Sequence, residues 1–283
     1  MLTQVTQSRI PYTTLPNGKT LQDWDTIDAL DIQRLSTALA HLREHGALPP
    51  YLTSIQDLNQ ETECGVAEGV VEDLRAVVAG RLAKAQGHGG GDGKRTLAFL
   101  EGILLYSPPV SKEDGEDEEG KGEGGHILRP IHRNIDVRLF LPTAYEDVKT
   151  RREARTGYVT SGPAQQPALP QRTSSSVDAA SREDGQEEQK EEKTQPQTFW
   201  QDPPGYVDDI VWPHYVQDHA WLLLPENEPW RDVDTEELVK KVGRGVDART
   251  DLGVAVAPGK GGKPMTEVLT WAVEEVLKYW ENV

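Results

Sequence analysis

Eleven consecutive residues, Thr96 to Tyr106 (TLAFLEGILLY), form a nearly continuous apolar run. No polar residue alternates with the apolar ones, so a strand solvated on one face is excluded. The run reads as a strand buried on both faces, the pattern of a parallel sheet covered by helices. Asp136–Leu141 (DVRLFL) reads as a second strand, and Leu252–Ala257 as a short third one within an otherwise loop-like 230–262. Helical patterns surround them. Asp25 or Thr26 caps a stripe of Ile27, Leu30, Leu35, Leu39 and Leu42 that stops at Gly46. A second stripe, Val70, Leu74, Val77, Val78 and Leu82, lies within Val66–Lys84, and Thr266–Asn282 closes the chain with Leu269, Ala272, Val276, Tyr279 and Trp280. After a Pro203-Pro204-Gly205 turn, a helix starts near Tyr206 and is bent or interrupted at Pro213. Strands alternating with helices predict an α/β fold with a parallel sheet, in one domain spanning 1–283.

One acid interrupts the apolar run. Glu101 in such surroundings is costly unless a metal, a base or hydrogen bonds compensate it, and Gly102 beside it allows close approach to the backbone. The plainer alternative is that Glu101 marks the strand's end and turns outward.

The formal net charge of −17 argues against general nucleic-acid or anionic-membrane binding. Two tracts, 111–125 and 161–197, carry much of the acid. They are rich in Gly and Glu, or in Pro, Gln, Ser and Glu, and read as disordered insertions. The single Cys64 excludes an internal disulfide, and the histidines show no metal-ligand spacing. No apolar run reaches membrane-spanning length and the first residues lack the order of a signal peptide, so a cytoplasmic, or also nuclear, soluble protein is expected.

Tyr145–Tyr158 (YEDVKTRREARTGY) carries Arg151, Arg152 and Arg155 on a helical run capped by Thr143. That spacing projects three guanidiniums within about one turn, a cluster suited to polyphosphate. A solvated basic helix end complementing the macrodipole is the plainer alternative. A phosphate-binding chain of this class should also carry G-x-x-x-x-G-K-[ST] between a strand and a helix. The pattern is absent. Thr13–Thr20 (TTLPNGKT) has Thr13 in place of the first glycine, and His88–Thr96 has Arg95 in place of the hydroxyl.

The blocks LPNG…QDWDTIDALD, FLEGILLYS, YEDVKTRREARTGYVT, FWQDPPGYVDDIVWPHYVQDHAWLL and the last helix resemble the fungal nicotinamide riboside kinases, of the uridine kinase-like P-loop kinases. The resemblance covers nearly all of 8–283 outside the two insertions. It implies a three-layer core, a parallel sheet flanked by helices with an arginine-bearing lid, and transfer of the ATP γ-phosphoryl group to the 5′-hydroxyl of nicotinamide riboside with Mg²⁺. By position, Glu101 matches a Mg²⁺-binding acid, Arg151 and Arg155 lid arginines on ATP, and Lys260 a residue of the loop near adenine. Arg152 and Asp25 match the groups gripping the ribose. Trp24 and Tyr158 (or a neighbour one residue away) match aromatics that stack on nicotinamide; for Trp24 a buried staple beside the helix start is the alternative. The match begins just past the family's first strand, P-loop and catalytic aspartate, so no residue here is assigned as general base and impaired turnover is expected. A catalytically inactive nucleoside-binding or regulatory homologue, or a kinase of another nucleoside such as uridine, remains open.

Overall fold

The computed structural model describes residues 10–15, 17–52, 63–86, 96–110, 125–155, 158–160 and 198–282. The first element is a hairpin of β1 (Tyr12–Thr14) and β2 (Thr20–Gln22), with Thr13 opposite Leu21. Gly18 turns the chain at φ 80°, a conformation that glycine adopts without a Cβ penalty, and its N–H donates to the Leu15 carbonyl at 2.9 Å. The stretch that imitates a phosphate loop is therefore the turn of this hairpin.

Thr26 caps a single 3₁₀ turn, Ile27–Ala29, and the first helix, α1 (Ile32–His45), starts five residues later than its stripe suggests. Extended Leu30 separates the two, and Asp31 becomes the cap, its side chain accepting from the Arg34 N–H at 3.0 Å. Gly46 ends α1 in the left-handed region, as expected. α2 (Glu68–Gln86) packs on α7 (Met265–Asn282). Resting on one neighbour, α2 only half-buries Val70, Leu74, Val78 and Leu82, and Val77 stays exposed.

Between these lie α3 (Arg129–His132), β3 (Leu139–Phe140), α4 (Tyr145–Glu153), the antiparallel pair β4 (Tyr158–Thr160) and β5 (Thr198–Trp200), α5 (Trp212–Leu223), α6 (Thr235–Val242) and β6 (Ala255–Val256). A π-helical turn, Val207–Val211, leads into α5, and Pro213 sits in the first turn of α5, where its missing N–H costs nothing. The change of register at Trp212 is the interruption expected near Pro213. The 230–262 stretch hides α6, capped by Asp234 and burying Leu238 and Val242.

Helices dominate, and the expected three-layer parallel sheet is not formed by the described residues. What is parallel is one short pair, Leu139 with Ala255 and Phe140 with Val256. The run 96–106 is not a strand: Leu97, Phe99 and Ile103 are exposed and Leu104 is buried. A strand exists only through a hydrogen-bonded neighbour, and among the described residues none pairs with this segment. The Tyr106 hydroxyl instead donates to the Leu139 carbonyl at 2.9 Å and accepts from the Leu139 N–H at 3.0 Å, satisfying the edge of β3 without a ladder. The tracts 111–124 and 161–197 and the glycine loop 88–93 lie outside the described residues.

Three apolar clusters hold the fold. One joins Phe140 to α5 and α6 through Trp212, Val216, Leu223 and Leu238. A second gathers Ile10, Leu15, Leu21, Trp24, Tyr206 and Ile210. The third packs Leu35 and Leu39 of α1 on Leu104, Leu128 and Ile131. Each large side chain so buried contributes about 1.5–3 kcal/mol relative to exposure. The first two clusters both touch Tyr145 and Val148 of α4, which fixes the arginine-bearing helix over the body.

Candidate functional site

The segment after β2, Asp23-Trp24-Asp25, alternates its side chains between buried surroundings. Asp23 is 1% exposed; it accepts from Thr13 Oγ1 at 2.6 Å and from the Asp25 N–H at 3.2 Å. His214 of α5 stands over it, with Nδ1 3.6 Å from Oδ1. Trp24 packs among Ile10, Leu15, Leu21 and Ala29, and its backbone N–H donates to the Tyr206 hydroxyl at 3.0 Å. These anchors leave Asp25 with one direction to face, toward α4.

There it meets Arg152. Nη1 and Nη2 donate to the two Asp25 oxygens at 2.7 and 3.1 Å, while Nε and Nη2 donate to the two Asp202 oxygens at 2.7 and 3.1 Å. The guanidinium also lies over the Tyr206 ring, 5.7 Å from its centroid. Burial works against the charge, but Asp202 and Asp25 more than offset it, so the Arg152 pKa is raised above its ordinary value. α4 is held on its other side by Lys149, which donates to Asp208 at 2.6 Å, and by the Tyr145 hydroxyl, which donates to the same carboxylate.

The three arginines do not form one cluster. Arg151 and Arg155 are exposed, without an ion pair to any described residue, whereas Arg152 is folded inward. Successive helical residues diverge by about 100°, and the two carboxylates take the one that faces them. Thr143 is not the helix cap; Ala144 holds that position without a side-chain bond, and Thr143 lines the adjacent cavity.

That cavity, about 420 Å³, is walled by Asp25 and Arg152 at one end, the 100–106 segment, the end of β3 and the α5 face carrying Trp212, Tyr215, Asp218 and His219. Glu101 is exposed and on its wall, and with no strand at 96–106 it marks no strand end. Trp24 is 6% exposed in the core and is not a lining residue. Tyr158 is placed on β4 opposite Trp200. A second cavity, about 450 Å³, is lined by Leu223–Pro225, 246–250 and Val256–Lys260. Lys260 pairs with Asp247 there and adopts φ 52°, a left-handed backbone that costs a non-glycine residue about 1 kcal/mol or more. Next to it Gly261, at φ 77°, sits so close to Pro142 that an added Cβ would lie 2.0 Å from the carbonyl oxygen.

Among the described residues, no three His, Cys, Asp or Glu side chains converge as a metal cage. A Mg²⁺ carried with nucleotide phosphates needs only one or two protein carboxylates, so a single exposed Glu101 suits that role and no more. Asp202, Asp23, Tyr206, His214 and Asp218 are site residues that the sequence did not single out. For Asp202 a signal existed: an acid directly before Pro-Pro-Gly is held by a rigid turn. Asp218 gave none.

A buried arginine forked between two carboxylates thus stands at one end of a cavity of about 420 Å³. The chain is 24% identical over 220 residues to the nicotinamide riboside kinase of Schizosaccharomyces pombe, covering 77% of this chain and 65% of that protein. It is 23% identical over 201 residues to that of Eremothecium gossypii (71% and 56%) and 20% identical over 259 residues to that of Saccharomyces cerevisiae (91% and 75%). The chain is a distant relative of the fungal nicotinamide riboside kinases over most of its length, and it spans less than two thirds of the first two. No protein-family model and no solved structure matches. No helix among the described residues is long and apolar enough to cross a membrane.

Proposed function

We propose that the chain is a nucleoside kinase subunit or part, acting in the ATP-dependent phosphorylation of nicotinamide riboside to nicotinamide mononucleotide. The observation that carries the reading is the buried Asp25–Arg152–Asp202 fork, taken together with the distant likeness to the fungal nicotinamide riboside kinases. Asp25 offers acceptor oxygens and Arg152 a rigid donor fork, the complementary pair that a ribose 2′,3′-diol requires. Asp202 keeps the guanidinium plane fixed while the diol engages, so little rotamer entropy is lost on binding. Tyr158 is the proposed face for the nicotinamide ring. Arg151 and Arg155, exposed on and just past α4, are the proposed contacts for ATP phosphates, and the cavity at Ala257–Lys260 the proposed adenine end. Glu101 is the proposed carboxylate for Mg²⁺, which would supply charge neutralisation on the phosphates.

Isothermal calorimetry of the chain with nicotinamide riboside and with ATP, paired with a phosphoryl-transfer assay, tests this. Riboside binding that is lost in Arg152→Ala is expected. Riboside binding without turnover would support the alternative, a nucleoside-binding homologue. Binding of neither ligand would overturn both.

A further inference from the structure

The three acids on the wall of the 420 Å³ cavity are unequally compensated. Asp25 is taken up by Arg152, and Glu101 is open to water. Asp218 enters from α5 half-buried, and among the described residues no hydrogen bond or ion pair reaches its carboxylate. Its nearest relief is His214, one turn earlier on α5, but that imidazole already stands 3.6 Å from Asp23. Burial pushes the Asp218 carboxyl up to about 6; His214 partly opposes this, and Asp23 and Asp28 add to it. Arg152, the one Lys or Arg among the described lining residues, already faces two carboxylates. His219 on the same wall is buried, its Nδ1 2.9 Å from the Tyr215 carbonyl, and burial lowers its pKa, so it stays neutral. Tyr106, Phe140, Trp212 and Tyr215 give the remaining wall its aromatic character.

An under-compensated carboxylate among aromatic rings is the environment in which an organic cation gains most, through charge pairing and cation–π attraction in a partly dry site. We propose that Asp218 is a specificity-determining residue of this cavity, selecting a nucleoside whose base carries a fixed positive charge over one whose base is neutral. The inference rests on the nucleoside reading above and names the charge class of its substrate. A neutral base would deepen the burial of Asp218 without compensating it, whereas a pyridinium supplies the missing partner. For packing alone an asparagine or leucine would serve α5 better, since neither carries a charge to desolvate.

The test uses one pair of ligands that share sugar and carboxamide and differ in charge: nicotinamide riboside and its neutral 1,4-dihydro form. Calorimetry on the whole chain should find the cation bound about tenfold tighter, a difference of about 1.4 kcal/mol. Asp218→Asn should remove that preference by weakening the cation alone, and Asp218→Glu should keep it, with thermal melts confirming that each variant folds. Should Asp218→Asn not fold, the wild-type ratio and Asp218→Glu still decide. Equal affinities in the wild type, or equal losses for both ligands in Asp218→Asn, overturn the selectivity and leave the nucleoside reading standing. Failure of the wild type to bind either form overturns both.

Discussion

Two arginines in this molecule each grip two carboxylates, and their surroundings make them different devices. Arg81 of α2 donates to Glu281 at 2.6 Å through Nε and again through Nη2, and to Glu274 of α7 at 2.7 Å. Arg152 makes the same kind of fork to Asp25 and Asp202. Both guanidinium pKa values are raised, Arg81 by its bonds to Glu281 and Glu274, Arg152 by carboxylates acting against a large burial penalty. Around Arg81, which is 24% exposed, the carboxylates are 43% and 41% exposed, so water competes for their oxygens. Around Arg152, the acids are 8% and 9% exposed. The lesson is that fork geometry does not rank an ion pair; what remains when one member is removed does. Without Arg81, two glutamates return to solvent. Without Arg152, two buried carboxylates lose their shared cation.

The largest effect should come from Arg152→Ala: a loss of about 3–5 kcal/mol of stability in urea titration and undetectable riboside binding. A cost no larger than that of Arg81→Ala would break the comparison. Arg152→Lys keeps the charge but not the planar fork, and should lower riboside affinity about 10- to 100-fold while recovering most of the stability. Asp218→Asn sharpens the contrast from the other side. Its folded pKa of about 6 exceeds the ordinary aspartate value of 3.8, so the native state binds the proton more tightly and loses stability as pH rises through that window. Asparagine lifts the penalty. Unfolding at pH 7.5 should show the variant more stable by about 1–2 kcal/mol, a gain that vanishes near pH 4; a loss at pH 7.5 would contradict an under-compensated carboxylate. Smallest of all, Arg81→Ala should shift the melting temperature by little more than its reproducibility, less still at high salt, with riboside affinity unchanged.

How much was legible beforehand differs by element. α1 and α7 followed from their apolar stripes, and Gly46 from its cap position, because amphipathic period and capping are local. α6 is equally local, with Asp234 as cap and Leu238 and Val242 one turn apart, inside a stretch whose composition reads as loop. The strand expected at 96–106 failed for a different reason: an apolar run says that a segment seeks burial, while a ladder depends on what lies beside it. The family resemblance pairs Arg152 with Asp25, but the sequence presents it as one of three similar arginines and without its second acid.

The chain order of residues determined on its own where helices can start and stop, which acids and arginines are present, and how the acidic tracts divide the polypeptide. Those properties depend on neighbours within about a turn or on composition. Only the tertiary structure decided that Arg152 and not Arg151 turns inward, that Asp202 joins Asp25 across more than 170 residues of chain, and that Asp218 stands on a cavity wall with no hydrogen-bond or ion-pair partner for its carboxylate among the described residues. Charge pairing and desolvation act through space, and their sign at a given side chain is fixed by which distant groups the packing brings near.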